Sequence, residues 1–557
     1  MNDGTSAGQL NPPFGDIPPH WDIIIVGGGI TGAGIFREAV RAGFRAILLE
    51  EFDFSWGTSS RSSKLVHGGL RYLREGKFFL TKASVEERQR LLREAPGLVE
   101  PLGFLLPLYE GRHPGRTILT AGLSLYDMMG SGKKHRFLER EEFITLMPHL
   151  RREGLTGGFS FYDAQVDDAR LVLRLISEAV QNGGWAVNYT PVRALLRDDM
   201  NRVTGVACES TEDGTTGELR APVVINATGC RAEELHPSPE RHRHLRPLRG
   251  SHIVLPSWTL PLPQAITFMH PQDGRPIFVI PWEGTILVGT TDLDHHDDLG
   301  KEPTMSPGEA AYLMEGLADC FPALSLRLDQ TLCSFAGVRP VVSEGNRPPS
   351  EESRDHVIWT DNGLVTVTGG KLTTFRRLAW DAMKEAFRFI PGGGSIDRES
   401  PIFEPVRTVP RGGSLRDAAV RRLFGRYGRK AAVLLEQASQ DDLETLLGTN
   451  VLWIEVVEGA REGIRRLDDL LLRRVRLGLL RADGGIELLD DIEKRCGPSM
   501  KWDRRRWKEE RKRYREILEL SYGVPGRAPR PEAVKEGFLE KGIGRIRKVL
   551  RPGRQRS

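Results

Sequence analysis

Three glycines near the start of the chain have the residue type and the spacing to bind a dinucleotide. Gly27, Gly29 and Gly32 form a G-x-G-x-x-G pattern, and Glu50 follows Gly29 by 21 residues. The first glycine permits a tight turn, the second lets the backbone approach a pyrophosphate, and the third allows a helix to pack closely. An acid at the distance of Glu50 can accept hydrogen bonds from ribose hydroxyls. The pattern therefore predicts a dinucleotide site at residues 27–50.

The segments around these glycines have the pattern of a strand, a turn, a helix and a second strand. Residues 21–27 (WDIIIVG) and 46–50 (AILLE) are short and apolar, which is typical of buried strands. Between them, Ile35 and Ala39 lie at helical spacing, and Gly43 is placed to cap the helix. This βαβ unit is the context in which the glycines indicate a Rossmann-type site rather than an ordinary turn.

The position of this unit in the chain favours FAD over a nicotinamide cofactor. The glycine pattern lies at the extreme N-terminus, and the apolar strand at residues 223–229 (VVINATG), which ends in a glycine turn, follows only after a long insertion. No second G-x-G-x-x-G follows a predicted strand and opens a helix. A separate nicotinamide site is therefore not expected.

Other segments predict the elements that surround the dinucleotide site. In chain order they are a helix capped by Asp167 or Asp168 and ended by Gly183, a hairpin at 277–282 and 285–289, a strand at 364–370 that leads into a helix to 386, a linker at 391–395 (PGGGS), and helices over about 405–520, including the long stretch 456–480.

Seven motifs with polar or glycine residues occur in a fixed order along the chain. They are residues 32–34 (GAG), 58–73 (TSSRSSKLVHGGLRYL), 166–171 (VDDARL), 249–253 (RGSHI), 289–292 (GTTD), 336–340 (AGVRP) and 369–374 (GGKLTT). Together they closely resemble the FAD-dependent glycerol-3-phosphate dehydrogenase family. The resemblance runs from about residue 20 to 390, and residues 464–474 (IRRLDDLLLRR) are more loosely similar to a helix of that family's capping domain. Arg249 stands where many relatives have Lys.

The resemblance implies an α/β plus α+β protein of three parts. These are a Rossmann-type FAD-binding domain of the glutathione reductase and D-amino-acid oxidase type, an antiparallel-sheet substrate domain and a helical C-terminal cap domain. We place them at 21–75, 160–235 and 353–390, at 76–159 and 236–352, and at 400–525, respectively. Residues 1–20 are rich in Pro and Gly and are predicted to be a disordered lead, and residues 526–557 are predicted to be a basic tail.

The resemblance further implies oxidation of sn-glycerol 3-phosphate to dihydroxyacetone phosphate, and the residue types agree with a phosphate ligand. A phosphate monoester carries about −1.5 to −2 charge and requires several donors, preferably a bidentate guanidinium. The candidate substrate-binding residues are Arg71, Tyr72, His252, Thr290, Thr291 and Arg339. Arg71 without this context would be explained by an ion pair on a helix surface, whereas Arg339, between Val338 and Pro340 on a predicted strand, is harder to explain in that way.

Oxidation of a secondary alcohol requires a hydride to leave carbon 2 for flavin N5 and a base to take the hydroxyl proton. The resemblance places His252 beside the flavin as the first candidate for this base, although a structural role for the histidine is the alternative. Lys371, at the start of a helix, can stabilise negative charge on the flavin or accept the proton itself, and the sequence does not separate these roles. Arg339 matches a position near the substrate hydroxyls, so the candidate catalytic residues are His252, Arg339 and Lys371.

The glycine pattern and the resemblance together give the candidate FAD contacts. They are Gly27, Gly29, Gly32, Glu50, Thr58, Ser59, Ser63, Lys64, His67, Val192, Gly229, Gly370, Lys371, Leu372 and Thr373. The five cysteines are scattered and form no C-x-x-C pair, so no metal site and no disulfide framework are expected.

Charge is unevenly distributed along the 557 residues. The net charge is +4, but residues 501–557 contain 19 Lys and Arg against 8 Asp and Glu. This excess indicates either a solvated tail or a surface that attracts anionic lipid, and the absence of a nucleic-acid motif argues against a nucleic-acid partner. No apolar run approaches the ~20 residues of a membrane span. We expect a cytoplasmic homodimer that associates peripherally with the inner face of the cytoplasmic membrane.

The electron acceptor is the least constrained part of this prediction. The lack of a nicotinamide site and the basic C-terminus favour a membrane quinone. The alternatives are an oxidase of the same fold that reduces O₂, an amine or amino-acid oxidase on the same scaffold, and a flavin-containing binding protein without a substrate. The amino-acid oxidase alternative leaves the phosphate-suited residues around Arg71 unexplained.

Overall fold

The strands and the helix of the predicted βαβ unit at residues 21–50 form where the sequence predicts them. The structure of the protein, a computed structural model, describes residues 8–70, 73, 76–111, 114–130, 134–236, 244–343, 355–405 and 415–527. Its strands are β1 (Gln9–Leu10), β2 (Ile23–Val26), β3 (Ala46–Leu49), β4 (Leu65–Val66), β5 (Val99–Tyr109), β6 (Arg136–Glu139), β7 (Leu155–Val166), β8 (Trp185–Val187), β9 (Val192–Arg197), β10 (Val203–Glu209), β11 (Thr216–Arg220), β12 (Val223–Asn226), β13 (His244–Pro256), β14 (Ala265–Met269), β15 (Pro276–Trp282), β16 (Thr285–Gly289), β17 (Leu293–Asp294), β18 (Cys333–Ser343), β19 (His356–Asp361) and β20 (Leu364–Gly369). Its α-helices are α1 (Ile30–Arg41), α2 (Phe78–Glu94), α3 (Arg116–Met129), α4 (Arg140–Leu146), α5 (Asp168–Gln181), α6 (Ala232–Leu235), α7 (Pro307–Cys320), α8 (Phe375–Ala386), α9 (Asp417–Tyr427), α10 (Lys430–Gln437), α11 (Trp453–Gly459), α12 (Leu477–Leu480), α13 (Leu489–Met500) and α14 (Arg504–Ser521).

The first sheet carries the predicted dinucleotide turn. Its seven strands are ordered β1-β8-β3-β2-β12-β20-β19, and all neighbours are parallel except β19 and β20. Helices α1, α5 and α8 cover one face, where Ile25, Phe36 and Leu171 belong to one buried cluster. Because both faces of the central strands are buried, their sequences are continuous apolar runs instead of alternating patterns.

A three-stranded antiparallel sheet of β9, β10 and β11, which was not predicted from the sequence, lies on the other face of the first sheet. Val206 and Leu219 of this sheet pack with Ile24 and Ile47. Most side chains of β9 are half-buried or exposed, so the strand lacks the strong apolar signal of its neighbours. It is therefore hard to recognise from the sequence alone.

The glycine turn between β2 and α1 has the geometry that the pattern predicts. Gly27 has a φ of +108°, a conformation that side chains with a Cβ rarely adopt. A Cβ placed on Gly32 would lie 1.8 Å from the carbonyl oxygen of Gly27, so α1 can pack against the turn only with glycine at this position. Gly43, with a φ of +89°, follows the end of α1 as predicted.

The second sheet is the predicted antiparallel sheet. Its ten strands are ordered β17-β13-β16-β15-β14-β5-β7-β4, with β18 paired to β13 and β6 paired to β7. All pairs are antiparallel except β5 with β14. The predicted hairpin is confirmed as β15 and β16, and its two turn residues, Glu283 and Gly284, both have positive φ, as a tight two-residue hairpin turn requires.

Two predicted boundaries are corrected by the structure. Strand β7 pairs with β5 along its whole length, so the substrate sheet extends to Val166 and the boundary at residue 160 is wrong. The disordered lead is wrong for residues 8–20, because Gln9 and Leu10 pair with β8 and Ile17 is buried. Residues 1–7 lie outside the described part of the chain. The apolar side chains in this Pro-rich segment provide the contacts that order it.

The C-terminal part is helical, as predicted, but the long stretch 456–480 is divided. Helix α11 ends at Gly459, and a π-helical turn covers Asp469–Arg474. Helix α12 begins at Leu477, after two further residues. Gly463 and Arg476 both have positive φ, which interrupts a continuous helix.

The chain divides into two compact units, residues 1–525 and 526–557. Only Gly526 and Arg527 of the second unit are described, so the rest of the predicted basic tail lies outside the described residues. Across the described ranges, none of the helices combines the length and the apolar character that a transmembrane span needs.

Candidate active site

A cavity of about 990 Å³ opens at the carboxyl ends of the first sheet's strands. Its wall includes residues at the ends of β2, β3, β12 and β20, together with side chains of β5, β7, β14, β15 and β18 from the second sheet. The volume is at the upper end of the roughly 300–1,000 Å³ of ligand pockets, and the carboxyl edge of an open parallel sheet is where α/β proteins bind ligands.

One end of the cavity is formed by the glycine turn and Glu50. The backbone N–H groups of Gly28 and Phe52 donate to the two carboxylate oxygens of Glu50 at 2.5 and 2.9 Å, and Ile30 N–H donates to Ser59 Oγ at 2.9 Å. Burial raises the pKa of Glu50 to about 7. The start of α1 faces this end and favours an anion there.

A substitution of Glu50 tests this end of the cavity. Glu50→Gln is expected to weaken FAD binding by roughly 10-fold or more, because hydrogen bonds to a charged acceptor are the stronger ones. In the unaltered protein the FAD affinity is expected to rise as the pH increases through about 7, since the ionised form of Glu50 accepts ribose hydroxyls best. Fluorescence titration of the FAD-free protein measures both effects. An equally strong pH dependence in the Gln variant would contradict this assignment.

Most of the predicted cofactor residues line this one cavity. They are Gly27, Gly29, Glu50, Thr58, Ser59, Ser63, His67, Val192, Gly229, Gly370, Lys371, Leu372 and Thr373. Lys371 directly precedes the short turn Leu372–Thr374 that leads into α8. Thr373 Oγ1 donates to the carbonyl oxygen of His67 at 3.4 Å, so the loop after β4 and the loop after β20 are in contact.

His252 lies on β13 just behind the cavity wall. Its ring stacks on Phe335 with centroids 4.8 Å apart, and its Nε2 is 2.9 Å from Ser63 Oγ, which lines the cavity. Its Nδ1 has no hydrogen-bond partner among the described residues. Burial, and then the positive charges of Arg339 and Lys64, lower the pKa of His252 well below its usual value. The imidazole is therefore neutral at pH 7 and can accept a proton.

Arg339 stands in a polar section of the wall that the second sheet provides. Its Nη1 donates to Asp292 Oδ1 at 2.9 Å and its Nη2 donates to Thr290 Oγ1 at 3.0 Å. The buried Asp292 also pairs with Arg275, with Nη2 and Oδ2 3.2 Å apart. Two guanidinium groups thus share one carboxylate on the cavity wall.

Several lining residues were not identified from the sequence. Arg275, His295 and Lys301 also line the cavity, as do the stacked rings of Phe52 and Trp56. Arg275 and Lys301 lie outside the quoted motifs. Asp292, in contrast, is the last residue of the motif at 289–292. Its place in that motif could have identified it as a lining residue.

Two predicted contacts are corrected and two lie outside the described residues. Lys64 is fully buried, and its ammonium donates to Asp168 at 2.8 Å and to the carbonyl of Ser60, so this side chain does not reach the cavity. The Thr291 hydroxyl donates to Glu309 at 2.7 Å and is likewise turned into the protein. Gly32 packs beneath the turn, as predicted. Arg71 and Tyr72 belong to the part of the chain that is not described.

Two family profiles match the chain over almost its whole described length. The profile of "FAD dependent oxidoreductase" matches residues 22–376, and that of "C-terminal domain of alpha-glycerophosphate oxidase" matches residues 373–507. Among curated proteins, aerobic glycerol-3-phosphate dehydrogenase of Staphylococcus haemolyticus is 33% identical over 486 residues, which cover 82% of this chain and 86% of that protein. The protein of the same name from Staphylococcus aureus is 31% identical over 482 residues, with the same coverage.

Solved structures share the fold. Glycerol-3-phosphate dehydrogenase of Bacillus halodurans, complexed with FAD, aligns with a TM-score of 0.72 at 26% identity, covering 91% of this chain and 96% of that chain. L-alpha-glycerophosphate oxidase of Mycoplasma pneumoniae, with FAD bound, aligns with a TM-score of 0.55 at 20% identity, covering 70% of this chain and all of that one. The second likeness concerns the fold alone.

The cavity fits FAD by its own geometry. The tight Gly27 turn, the helix start behind Gly29 and the buried carboxylate of Glu50 provide the groups that a pyrophosphate and a ribose require. The remaining length of the cavity, lined by Ser63, His67 and Lys371, has room for the flavin half. With these features and the matched profiles, the chain belongs to the FAD-dependent glycerol-3-phosphate dehydrogenase family of FAD-dependent oxidoreductases.

Proposed function

We propose that the protein oxidises sn-glycerol 3-phosphate to dihydroxyacetone phosphate and passes the electrons to a membrane quinone. The observation that carries this proposal is the position of the Arg339, Asp292 and Thr290 cluster, which lines the same cavity as Ser63 and the glycine turn. A cationic wall and a neutral imidazole behind the same cavity are what a phosphorylated secondary alcohol requires.

The phosphate group is recognised by the cationic wall. Arg339, Arg275 and Lys301 line the cavity; Asp292 pairs with both guanidinium groups, and Asp298 lies 4.0 Å from the Lys301 ammonium. A phosphate dianion accepts charge-assisted hydrogen bonds from such groups, and a planar guanidinium binds two of its oxygens at once. The side chain of Arg339 is 22% exposed and lines the cavity, and Asp292 holds its orientation. Arg71 and Tyr72 are further candidates that the family resemblance provides.

His252 is the proposed base for the hydroxyl proton. FAD, when bound, supplies the hydride acceptor. His252 is neutral because burial and Arg339 lower its pKa, and its Nε2 reaches the cavity through the Ser63 hydroxyl. A bound phosphate offsets the charge of Arg339, which raises the pKa of His252 and makes it a stronger base when the substrate is present. Lys371, which also lines the cavity, is the alternative base.

An apolar section of the cavity wall supports a quinone as the electron acceptor. Leu70, Phe78, Ile118 and Leu119 line it, and Phe78 and Ile118 are 48% and 63% exposed. Phe79, beside them, is 91% exposed. Large apolar side chains in contact with both the cavity and the solvent form an entrance suited to a hydrophobic acceptor.

Replacement of two entrance residues tests the quinone proposal. Phe78→Ser combined with Ile118→Ser is expected to lower the quinone-dependent rate by roughly 10-fold or more, because each side chain loses apolar contact area. The rate with a water-soluble dye as acceptor is expected to remain close to the original. Trp258→Ser removes an even more exposed aromatic ring that does not line the cavity, and it serves as the control. Equal losses with both acceptors would contradict a role in quinone access.

Membrane association and a homodimer complete the proposal. The exposed apolar entrance and the basic residues 501–557 both suit the surface of an anionic membrane, so we expect the protein at the inner face of the cytoplasmic membrane. Sedimentation with anionic vesicles at low and high salt tests the membrane part, and light scattering tests the dimer.

The reaction is tested by its product and by its acceptor. Anaerobic incubation with sn-glycerol 3-phosphate and a quinone analogue is expected to give dihydroxyacetone phosphate in a one-to-one ratio with reduced quinone. Rapid mixing of the substrate-reduced protein with air or with the quinone analogue then compares the acceptors. Faster reoxidation by O₂ than by the quinone would identify an oxidase.

A further inference from the structure

Three arginines of the C-terminal helical part are buried against two acidic residues of the FAD-binding part. Arg473, Arg474 and Arg476 are each at most 1% exposed, and Asp53 and Asp168 are fully buried. Buried charges carry a large desolvation cost unless they are paired with good geometry. A displacement of any one of these five side chains would therefore leave a buried charge without its partner.

The first contact holds the loop that carries Glu50. Asp53 Oδ2 accepts from Arg473 Nε and Arg474 Nη1, both at 2.5 Å, and Asp53 Oδ1 accepts from Arg474 Nη2 at 2.9 Å. Asn188 Nδ2 donates to the same carboxylate at 3.0 Å. The arginine pair thus fixes Asp53, and neither arginine lines the cavity.

Residues on both sides of Asp53 face the cofactor cavity. Glu50, Phe52 and Trp56 line it, and Trp56 N–H donates to the Asp53 carbonyl at 2.9 Å. Ser55 N–H donates to the carbonyl of Gly28 in the glycine turn at 2.9 Å. A displacement of Asp53 therefore moves the residues that bind the adenosine half of FAD.

The second contact holds the loop on the flavin side. Arg476 donates to the Asp168 carboxylate and, at 3.0 Å, to the carbonyl of Ser60. Asp168 in turn accepts from the backbone N–H and the hydroxyl of Ser62 at 3.0 and 2.7 Å. Ser62 and its neighbour Ser63 line the cavity, and Ser63 contacts His252.

We propose that Arg473, Arg474 and Arg476 are positioning residues that set the FAD affinity by holding the two FAD-facing loops. The inference concerns FAD retention and goes beyond the proposed substrate and acceptor. Because coupling between two sites is reciprocal, FAD binding must also stabilise the segment 469–476 in its contact with Asp53 and Asp168. The described residues of the cap part do not line the cavity, so this part of the chain acts on the cofactor through the two loops.

The first test compares variants of the FAD-loaded protein. Arg474→Gln is expected to increase the rate of FAD release by roughly 10-fold, within the range of coupling energies between contacting residues. Arg474→Lys keeps the charge but loses the two-point contact, and an intermediate rate is expected. Arg422→Gln is the matched control, since Arg422 is an ion-paired arginine of the same helical part that contacts Glu283 and Glu455 but neither loop. FAD release is measured from the gain in flavin fluorescence after dilution.

The melting temperatures of the two Gln variants separate a general loss of stability from a specific effect on FAD release. Both Gln variants are expected to lower the melting temperature, because each leaves a buried carboxylate with fewer partners. Only Arg474→Gln is expected to accelerate FAD release by more than about 2-fold. In a protein that already carries Arg474→Gln, the further substitution Asp53→Asn is expected to change the release rate less than it does in the unaltered protein. Equal acceleration by Arg422→Gln, or unchanged release from Arg474→Gln, would overturn the proposal.

The second test needs no substitution. Hydrogen exchange of the backbone amides of residues 469–476 is measured in the unaltered full-length protein with and without FAD. Slower exchange with FAD is expected, as reciprocity requires. Identical exchange in the two states would overturn the proposal even if the Arg474 variants fail to fold. Both readouts are independent of glycerol 3-phosphate, so they are distinguishable from a failure of the proposed reaction.

Discussion

His252→Ala is expected to slow the anaerobic reduction of the flavin by glycerol 3-phosphate by about 10²–10⁴-fold, the usual size of a general-base contribution. The reason is the geometry of the ring, which is neutral, fixed on Phe335 and linked by its Nε2 to Ser63 at the cavity wall. Substrate affinity is expected to change little. His270→Ala removes another buried, stacked histidine of the same sheet that does not line the cavity, and it serves as the control.

The pH dependence separates His252 from Lys371 as the base. A base must be deprotonated, and the lowered pKa of His252 in the substrate-free protein keeps it so, which predicts a nearly constant reduction rate at low substrate concentration from about pH 6 to 8. Lys371→Met is expected to make the flavin harder to reduce without changing the shape of this profile. If the His252 variant reduces its flavin at close to the original rate and the Lys371 variant loses a pH dependence that the unaltered protein shows, lysine is the base.

Arg339→Met is expected to raise the KM for glycerol 3-phosphate by about 10- to 150-fold, because a charge-assisted hydrogen bond contributes roughly 1.5–3 kcal/mol to binding. Free glycerol lacks the phosphate and is expected to be a poor substrate of both the unaltered protein and the variant. Arg246→Met is the control, since Arg246 pairs with Asp294 on the same sheet but does not line the cavity. Steady-state rates with a dye acceptor give the KM values.

An unchanged KM in the Arg339 variant would place the phosphate elsewhere in the cavity. Arg71, which the family resemblance supplies, would then be the next residue to replace. A lower rate at saturating substrate, without a change in KM, would indicate that Arg339 acts on the reacting carbon instead of the phosphate.

The sequence predicted the elements whose signal is local. Strand β2, the Gly27 turn and α1 were predicted because buried strands, glycine turns and helix caps each have a short pattern. The hairpin of β15 and β16 was predicted from a two-residue turn. Strand β9 and the ordered residues 8–20 were missed because their order depends on packing against residues far away in the chain.

In the candidate site, too, contacts between residues distant in the sequence could not be predicted. The motifs predicted His252, Arg339 and Lys371 as site residues. They did not predict that Ser63 links His252 to the cavity or that Asp292 joins Arg339 to Arg275. Motif membership also suggested cofactor or substrate contacts for Lys64 and Thr291, whose side chains are buried with Asp168 and Glu309. Whether a polar side chain faces a cavity or a buried partner depends on residues that are distant in the sequence. For Lys64 the partner is Asp168, more than 100 positions away.

An anaerobic titration of the FAD-loaded protein tests the central claim most directly. Glycerol 3-phosphate is added to the yellow protein, and the flavin absorbance band is followed in the absence of any acceptor, with free glycerol and an amino acid as parallel additions. We expect complete bleaching by glycerol 3-phosphate at a stoichiometric amount and no bleaching by the other two at the same concentration. Bleaching by glycerol at equal concentration would contradict the phosphate site, and bleaching by the amino acid alone would contradict the proposed reaction.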